Sequence, residues 1–258
     1  MSNTPEPSIR VKVDLTNPGQ FFACCGLLEL ADRLWPDAEG WFKNDQFYIT
    51  AAGTLMELLD KITSAELIPI NPDDSKASPI HLSNPFNITL DWWTDESSGG
   101  KQFKTWAGSM DCVRIARAMQ QGIKQTQRDE YLFNEGMVVY DPDQSNKKVE
   151  PYYFDARRGQ NAHALDVGFS PDELSMETIA YPAVEFLCLV GLQRCRPAPI
   201  NERRQFKYFA WTHPLPIVIV QAVMNGTLPI PNTAAYQFEV AFRSEQKKHK
   251  SFLSATPI

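Results

Sequence analysis

Ile9-Arg10-Val11-Lys12-Val13-Asp14-Leu15-Thr16-Asn17-Pro18-Gly19-Gln20-Phe21-Phe22-Ala23-Cys24-Cys25-Gly26-Leu27-Leu28 carries two successive hydrophobic periods, one of a strand and one of a helix. Ile9, Val11, Val13 and Leu15 alternate with Arg10, Lys12 and Asp14, the two-residue period of a half-buried strand. At Asn17-Pro18 the period changes. Asn is a good N-cap and Pro suits the first helical turn, so the sequence predicts a helix from there to about Leu34, stopped by Pro36. Its stripe of Phe21, Phe22, Cys24, Cys25, Leu28 and Leu30 is apolar on most sides, as in a central, largely buried helix.

Working outward, residues 46–50 read as a second strand. Residues 54–67 read as an amphipathic helix with Leu55, Leu58, Leu59 and Ile62 inward. A polar loop at 71–78 precedes short strands at 80–82 and 86–92, and another loop spans 94–100. One helix is predicted from 103 to about 124, with Trp106, Met110, Val113, Ala116 and Ile123 as its core stripe. Residues 141–148 read as a charged turn, 149–154 as a strand, 157–172 as a long polar loop and 180–193 as a helix. A strand at 206–211, a short apolar helix within 214–225 and a last strand at 235–242 complete the pattern. The Lys247-Lys248-His249-Lys250 run reads as a frayed tail. Strands alternating with helices, with one hairpin-like pair, give an α+β fold: a mixed sheet with covering helices. The division expected is an N-terminal α/β half, 1–148, and a C-terminal one, 149–258, packed as one unit. Pro18, Phe22, Cys24 and Leu28 recur as Pro182, Phe186, Cys188 and Leu192, all at an offset of 164. That is either an internal duplication or a coincidence of ordinary helix-core residues.

The 258 residues carry 25 Lys and Arg against 31 Asp and Glu, a formal charge of -6. The sum hides a gradient: residues 1–100 hold 6 basic and 15 acidic side chains, 101–193 hold 10 and 13, and 194–258 hold 9 and 3. A net-acidic chain is not a histone-like or polybasic-tail binder, but its last quarter can still present a basic face. With 43% hydrophobic and 22% charged residues the composition is globular. The apolar runs 21–28 and 216–224 fall far short of the ~20 residues of a membrane span. With no signal-peptide pattern in its first residues, the chain is expected in the cytoplasm, away from membranes. Five cysteines without regular spacing make neither a disulfide framework nor, with four scattered histidines, a zinc site. No metal or other cofactor is expected.

No nucleotide-binding, hydrolase or metalloprotease signature is present. Ser97-Ser98-Gly99-Gly100-Lys101 has the strand, glycine loop and helix context of a phosphate loop, but lacks the spaced glycine and the Lys-Ser/Thr pair. It reads as a flexible loop. Two segments carry nucleic-acid chemistry. In the first, Arg157, Arg158, Gln160, Asn161 and His163 combine guanidinium forks with amide donors and an imidazole. The competing reading pairs Asp155 with one of those arginines. His163 could take a 2′-hydroxyl proton in RNA cleavage, with Arg157, Lys147 or Tyr153 stabilising the leaving oxygen, although nothing in the spacing selects among them. In the second, Arg194, Arg196, Arg203, Arg204 and Lys207 are followed by Phe206, Tyr208, Phe209 and Trp211. These residues could hold a backbone and stack bases. Alternatively, the aromatics alternate into the core and leave the arginines as a solvated rim or as partners for an acidic subunit. Arg114 and Arg117 share one helix face, and His213 lies at a strand end.

At this point the sequence resembles a known family. Val13-Asp14-Leu15-Thr16-Asn17-Pro18-Gly19-Gln20-Phe21-Phe22-Ala23-Cys24-Cys25-Gly26-Leu27-Leu28-Glu29-Leu30-Ala31 is similar to the opening of CRISPR-associated proteins of the subtype I-G (formerly I-U) Csb type. Two further stretches share the likeness. One is Phe154-Asp155-Ala156-Arg157-Arg158 leading to Leu165-Asp166-Val167-Gly168-Phe169-Ser170-Pro171. The other is Ala180-Tyr181-Pro182-Ala183-Val184-Glu185 leading to Gly191-Leu192-Gln193-Arg194-Cys195-Arg196-Pro197. The resemblance implies a ferredoxin-like, RNA-recognition-motif-like architecture, which an internal duplication would extend to two such halves. It also implies a non-catalytic subunit of a CRISPR-RNA-guided antiviral effector complex, whose partners are the other effector subunits, CRISPR RNA and target DNA. In such complexes base pairing reads sequence while protein holds backbone. The enzyme alternative is a metal-independent guide-RNA-processing ribonuclease built on His163. The third reading is a protein-interaction module that touches no nucleic acid.

Overall fold

Asn17 starts the central helix as its sequence requires. From an extended backbone its side-chain oxygen accepts from the Gly19 and Gln20 amides, at 3.1 and 3.4 Å, and Pro18 occupies the first turn. The computed structural model describes residues 6–74, 76–97, 99–107, 110–158, 179–200, 202–243 and 249–258, and it has an α+β fold. Strand β1 (Ile9–Lys12) leads into α1 (Pro18–Leu34). Fourteen of the helix's 17 residues are buried, so it has almost no solvent face. Burying each of its large apolar side chains is worth roughly 1.5–3 kcal/mol.

A hairpin of β2 (Glu39–Lys43) and β3 (Gln46–Thr50) follows; its first strand, short and containing Gly40, is unannounced by the sequence pattern. Helix α2 (Leu55–Ser64) starts on a capping box between Thr54 and Glu57. It ends three residues before the predicted 67, because Leu67 opens β4 (Leu67–Pro69). Strands β5 (Ile80–Leu82) and β6 (Ile88–Leu90) complete a small sheet in the order β4-β5-β6.

The single helix expected over 103–124 is broken into α3 (Gly100–Phe103) and α4 (Cys112–Gly122). Asp111 caps α4 by accepting from the Arg114 amide at 3.0 Å. Trp106, between the two, packs among Trp92, Trp93 and Tyr152, so it leaves the helix to join an aromatic cluster. Strands β7 (Met137–Val138), β8 (Tyr140–Asp141) and β9 (Gln144–Lys148) come next, and β8 and β9 form a hairpin where a charged turn was expected. Residues 149–154, expected as a strand, join no ladder, and Tyr153 has a left-handed φ of 67°.

After β10 (Ile179–Ala180), which pairs with β7, comes α5 (Pro182–Arg194). Then follow β11 (Ala198–Pro199), β12 (Gln205–Trp211), β13 (Leu215–Pro216), α6 (Ile217–Met224), β14 (Thr233–Phe242), β15 (Lys250–Phe252) and β16 (Thr256–Pro257). Strand β14 is not the last. Lys250, expected in a frayed tail, pairs with Phe242 in the sheet.

The sheets explain how the two sequence halves share one core. The first is ordered β1-β3-β2-β13, so β13 from the second half extends a sheet of the first. The second is ordered β11-β12-β14-β15, with β16 also on β14. The opening β-α-β-β-α-β order and the β1-β3-β2 pairing are those of a ferredoxin-like unit, but β4 pairs with β5 rather than β1. In the second half β12 and β14 pair directly, without a strand between them.

Helices α1 and α5 cross in the middle of the core. A Cβ on Gly26 would run into the Leu187 carbonyl oxygen and lie 2.9 Å from the Gly191 amide. A Cβ on Gly191 would run into the Phe22 carbonyl oxygen and lie 2.8 Å from the Gly26 amide. This reciprocity relates residues 165 apart, one more than the offset of 164 in the sequence correspondence. Around the crossing, Phe21 stacks on Tyr208 at 4.3 Å and Phe42 meets Trp211 edge-on at 4.9 Å. The buried Trp211 N–H donates to the Gly40 carbonyl at 2.7 Å, joining the two sheets.

Candidate nucleic-acid interface

Glu29 is a charged residue on an otherwise apolar helix, and at 2% exposure its carboxylate needs compensation. It receives two arginines. Arg33, one turn later on α1, donates from Nε to Oε1 at 2.7 Å. Arg194, on the last turn of α5, donates from Nε to Oε2 at 2.5 Å and from Nη2 to Oε1 at 3.3 Å. Arg33 is fixed further by Nη1 bonds to the Phe86 and Asn87 carbonyls. Two guanidinium groups are thus held side by side on one carboxylate, leaving one surplus positive charge.

These groups form a wall of an open cleft of about 860 Å³. Arg196 lines it too, with Nη1 2.5 Å from Asp95, while its backbone amide donates to Gln221 Oε1 at 2.7 Å. Gln193 is locked by accepting from the Asp91 and Trp92 amides and donating to Asp91 Oδ1. Glu96, Ser97 and Gly99 line the facing side. The glycine loop therefore borders the cleft, although Lys101 is engaged with Glu96. The cleft offers preset guanidinium edges and side-chain amides on a rigid frame, which suits a phosphate and its sugar.

Arg157 and Arg158 lie elsewhere. Asp155, fully buried, accepts from Arg157 Nε at 2.9 Å and Nη2 at 2.6 Å, and from Asn17 Nδ2 at 3.0 Å. Arg157 also donates to the Phe133 carbonyl and stacks on Tyr181, 3.4 Å from the ring centre. Its guanidinium is built into the structure, the competing reading of that segment. Arg158 is buried against Tyr153. Gln160, Asn161 and His163 lie outside the described residues.

The second predicted cluster divides. Arg194 and Arg196 face the cleft, whereas Arg203 and Arg204 stand in the turn before β12. Arg204 lies over the Phe242 ring and 3.7 Å from Glu239. Lys207 lies over Phe209. Phe206, Tyr208 and Trp211 are buried and cannot stack bases, whereas Phe209, on the opposite face of β12 from Phe206 and Tyr208, is half-buried. Arg114 pairs with Asp141 at 2.6 Å and Arg117 caps the β4 edge by donating to the Leu67 carbonyl, so neither extends a groove. Sequence reasoning missed Arg33 and Glu29. Their signal was a charge pair at i, i+4 inside an apolar stripe.

Beneath the Arg157 segment, buried Glu185 accepts from the Phe154 and Asp155 amides at 3.2 and 3.1 Å. Burial pushes its carboxyl up to about 8, against the pull of those amides. An acid with a raised folded-state pKa binds its proton more tightly folded than unfolded. Stability from this group is therefore complete below the ordinary carboxylate range and is lost as pH rises toward 8. Urea melts across that window should show wild type losing up to about 1.4 kcal/mol per pH unit relative to Glu185→Gln. Parallel pH profiles would rule this out.

Among the described residues no three His, Cys, Asp or Glu side chains gather as metal ligands, and no helix is long and apolar enough to cross a membrane. Fold and site together define an α+β protein with an arginine-lined cleft. Comparison with protein-family models, curated proteins and solved structures finds no match.

Proposed function

We propose that this chain is a non-catalytic binding subunit of a nucleic-acid-guided assembly. In this reading it holds a backbone phosphate of guide RNA or target DNA in the arginine cleft while neighbouring subunits pack around it. The observation that carries the reading is the pair Arg33 and Arg194 fixed on buried Glu29 in the wall of an open cleft. A solvated surface arginine has no need of a buried carboxylate to aim it. The likeness of three stretches to Csb-type CRISPR proteins supplies the setting, and the acidic first 100 residues supply a surface for basic neighbours. The overall charge of -6 disfavours tight binding by the chain alone, which suits a part that works inside a complex.

Salt dependence tests it. The logarithm of the single-stranded RNA or DNA binding constant should fall linearly with log salt, and the slope should shrink by about 0.7 for each arginine that meets a phosphate. Arg33→Gln and Arg194→Gln should each show this loss. Unchanged slopes, or no nucleic acid bound by the chain or by its isolated complex, would exclude the reading.

A further inference from the structure

Helix α3, whose Gln102 lines the cleft, also meets a second cationic group. Lys250, on β15, turns back over α3, and its Nζ donates to the Gln102 carbonyl at 2.8 Å and the Lys101 carbonyl at 3.2 Å. Its backbone amide donates to the Thr105 carbonyl at 2.9 Å, which fixes it beside Lys104. Its cross-strand partner is Phe242, the ring beneath the Arg204 guanidinium, at 4.7 Å. Arg204 occupies a left-handed backbone conformation, φ 65°, in the turn it shares with Arg203. A non-glycine residue held there is sterically costly and marks a position fixed by its surroundings.

Three features point to an anion. Arg204 Nη2 reaches Glu239 only at 3.7 Å, beyond hydrogen-bond distance, so the guanidinium is not saturated by this carboxylate. Two of the three Lys250 N–H donors are spent on carbonyls, which leaves the third for another acceptor. Burial first, and then the positive charges of Arg204, Lys104 and Arg203, lower the Lys250 pKa to about 8. His249 and Arg243 join the same rim through the Arg243 amide and the His249 carbonyl, 2.8 Å apart. Against these cations stand Glu239 and Glu202, the latter accepting from Gln205 at 2.6 Å. Lys104, Arg203, Arg204 and Lys250 outnumber Glu239, Glu202 and the Asp74 charge that acts on Lys104, and their spare donors suit the three acceptor oxygens of a phosphate monoester better than the two of a backbone diester.

We propose that Lys104, Arg203, Arg204 and Lys250 form a binding site for a phosphate monoester, separate from the arginine cleft. Its source is either a free phosphate compound or the terminal phosphate of a nucleic-acid strand. The site does not rest on the strand-holding reading of the cleft.

Calorimetric titration with glycerol 2-phosphate, a phosphate monoester already fully ionised at pH 8, tests it. Wild type should bind, and because an anion raises the Lys250 pKa, binding near pH 8 should take up protons. Lys250→Met and Arg203→Gln should each weaken binding about tenfold. Lys43→Gln, an exposed lysine on β2, should not. Matching melting curves for wild type and the two site variants establish that they fold. Short strands with and without a 5′-phosphate identify the source: preference for the phosphorylated strand, lost in Lys250→Met, assigns a strand terminus, and indifference assigns a free phosphate. No glycerol 2-phosphate binding, or binding that Lys250→Met leaves intact, overturns the site. Loss of unphosphorylated-strand binding in Arg194→Gln reports on the cleft alone, so the two ideas fail separately.

Discussion

Gly26→Ala and Gly191→Ala should each destabilise the protein by about 3 kcal/mol, the upper end of the usual cost of overpacking a core. The sign is the informative part, because alanine in place of glycine inside a helix ordinarily gains about 1 kcal/mol. Here each new methyl group meets a backbone carbonyl oxygen of the other helix, Leu187 for Gly26 and Phe22 for Gly191. A side chain can rotate away from such a contact, but a helix backbone cannot. Relief requires α1 and α5 to move apart, which unpacks the aromatic rings seated around them. For a chain of this size about 3 kcal/mol corresponds to roughly 10 °C in Tm. Thermal melts in which either alanine variant equals or exceeds wild type would show that the helices do not cross at these glycines.

The second large effect is expected at Asp155. Its carboxylate is fully buried, yet it joins three elements: the N-cap Asn17 of α1, the Arg157 guanidinium and, through its own amide, Glu185 of α5. Asp155→Ala leaves the Arg157 charge without its bidentate partner and Asn17 Nδ2 without an acceptor. Removing one partner of a buried pair costs about 3–5 kcal/mol, and the lower figure applies because Arg157 keeps partial contact with solvent. Asp155→Asn preserves an acceptor for Asn17 and should recover part of the loss. If Asp155→Ala melts with wild type, Arg157 is not held by this carboxylate and becomes available for a ligand.

The opening strand and helix were legible because Asn17-Pro18 and the apolar stripe agree with one another and with the final packing. The break at Asp111 was not, since Trp106 and Met110 continue a helical spacing that only the aromatic cluster around Trp92 overrides. Lys250 looked like tail because its strand is three residues long and makes sense only once Phe242 is beside it. At the candidate site the arginines were legible as types but not as partners. Arg157 and Arg194 read alike in sequence, yet one is committed to a buried hub and the other lines a cleft, and that difference is set by Asp155 and Glu29 at sequence separations of 2 and 165. The glycine contact is one residue out of register with the repeated Pro, Phe, Cys and Leu, so the repeated letters do not identify the positions that meet.

The most direct test of the central claim is to cross-link photoreactive RNA or DNA to the protein within its purified assembly and map the attached peptides. Adducts should concentrate in the segments that line the cleft, above all Asn87 to Thr89 and Gln193 to Pro199, and be lost in the Arg33→Gln, Arg194→Gln double variant. Adducts found only elsewhere on the chain, or undiminished in the double variant, would contradict it.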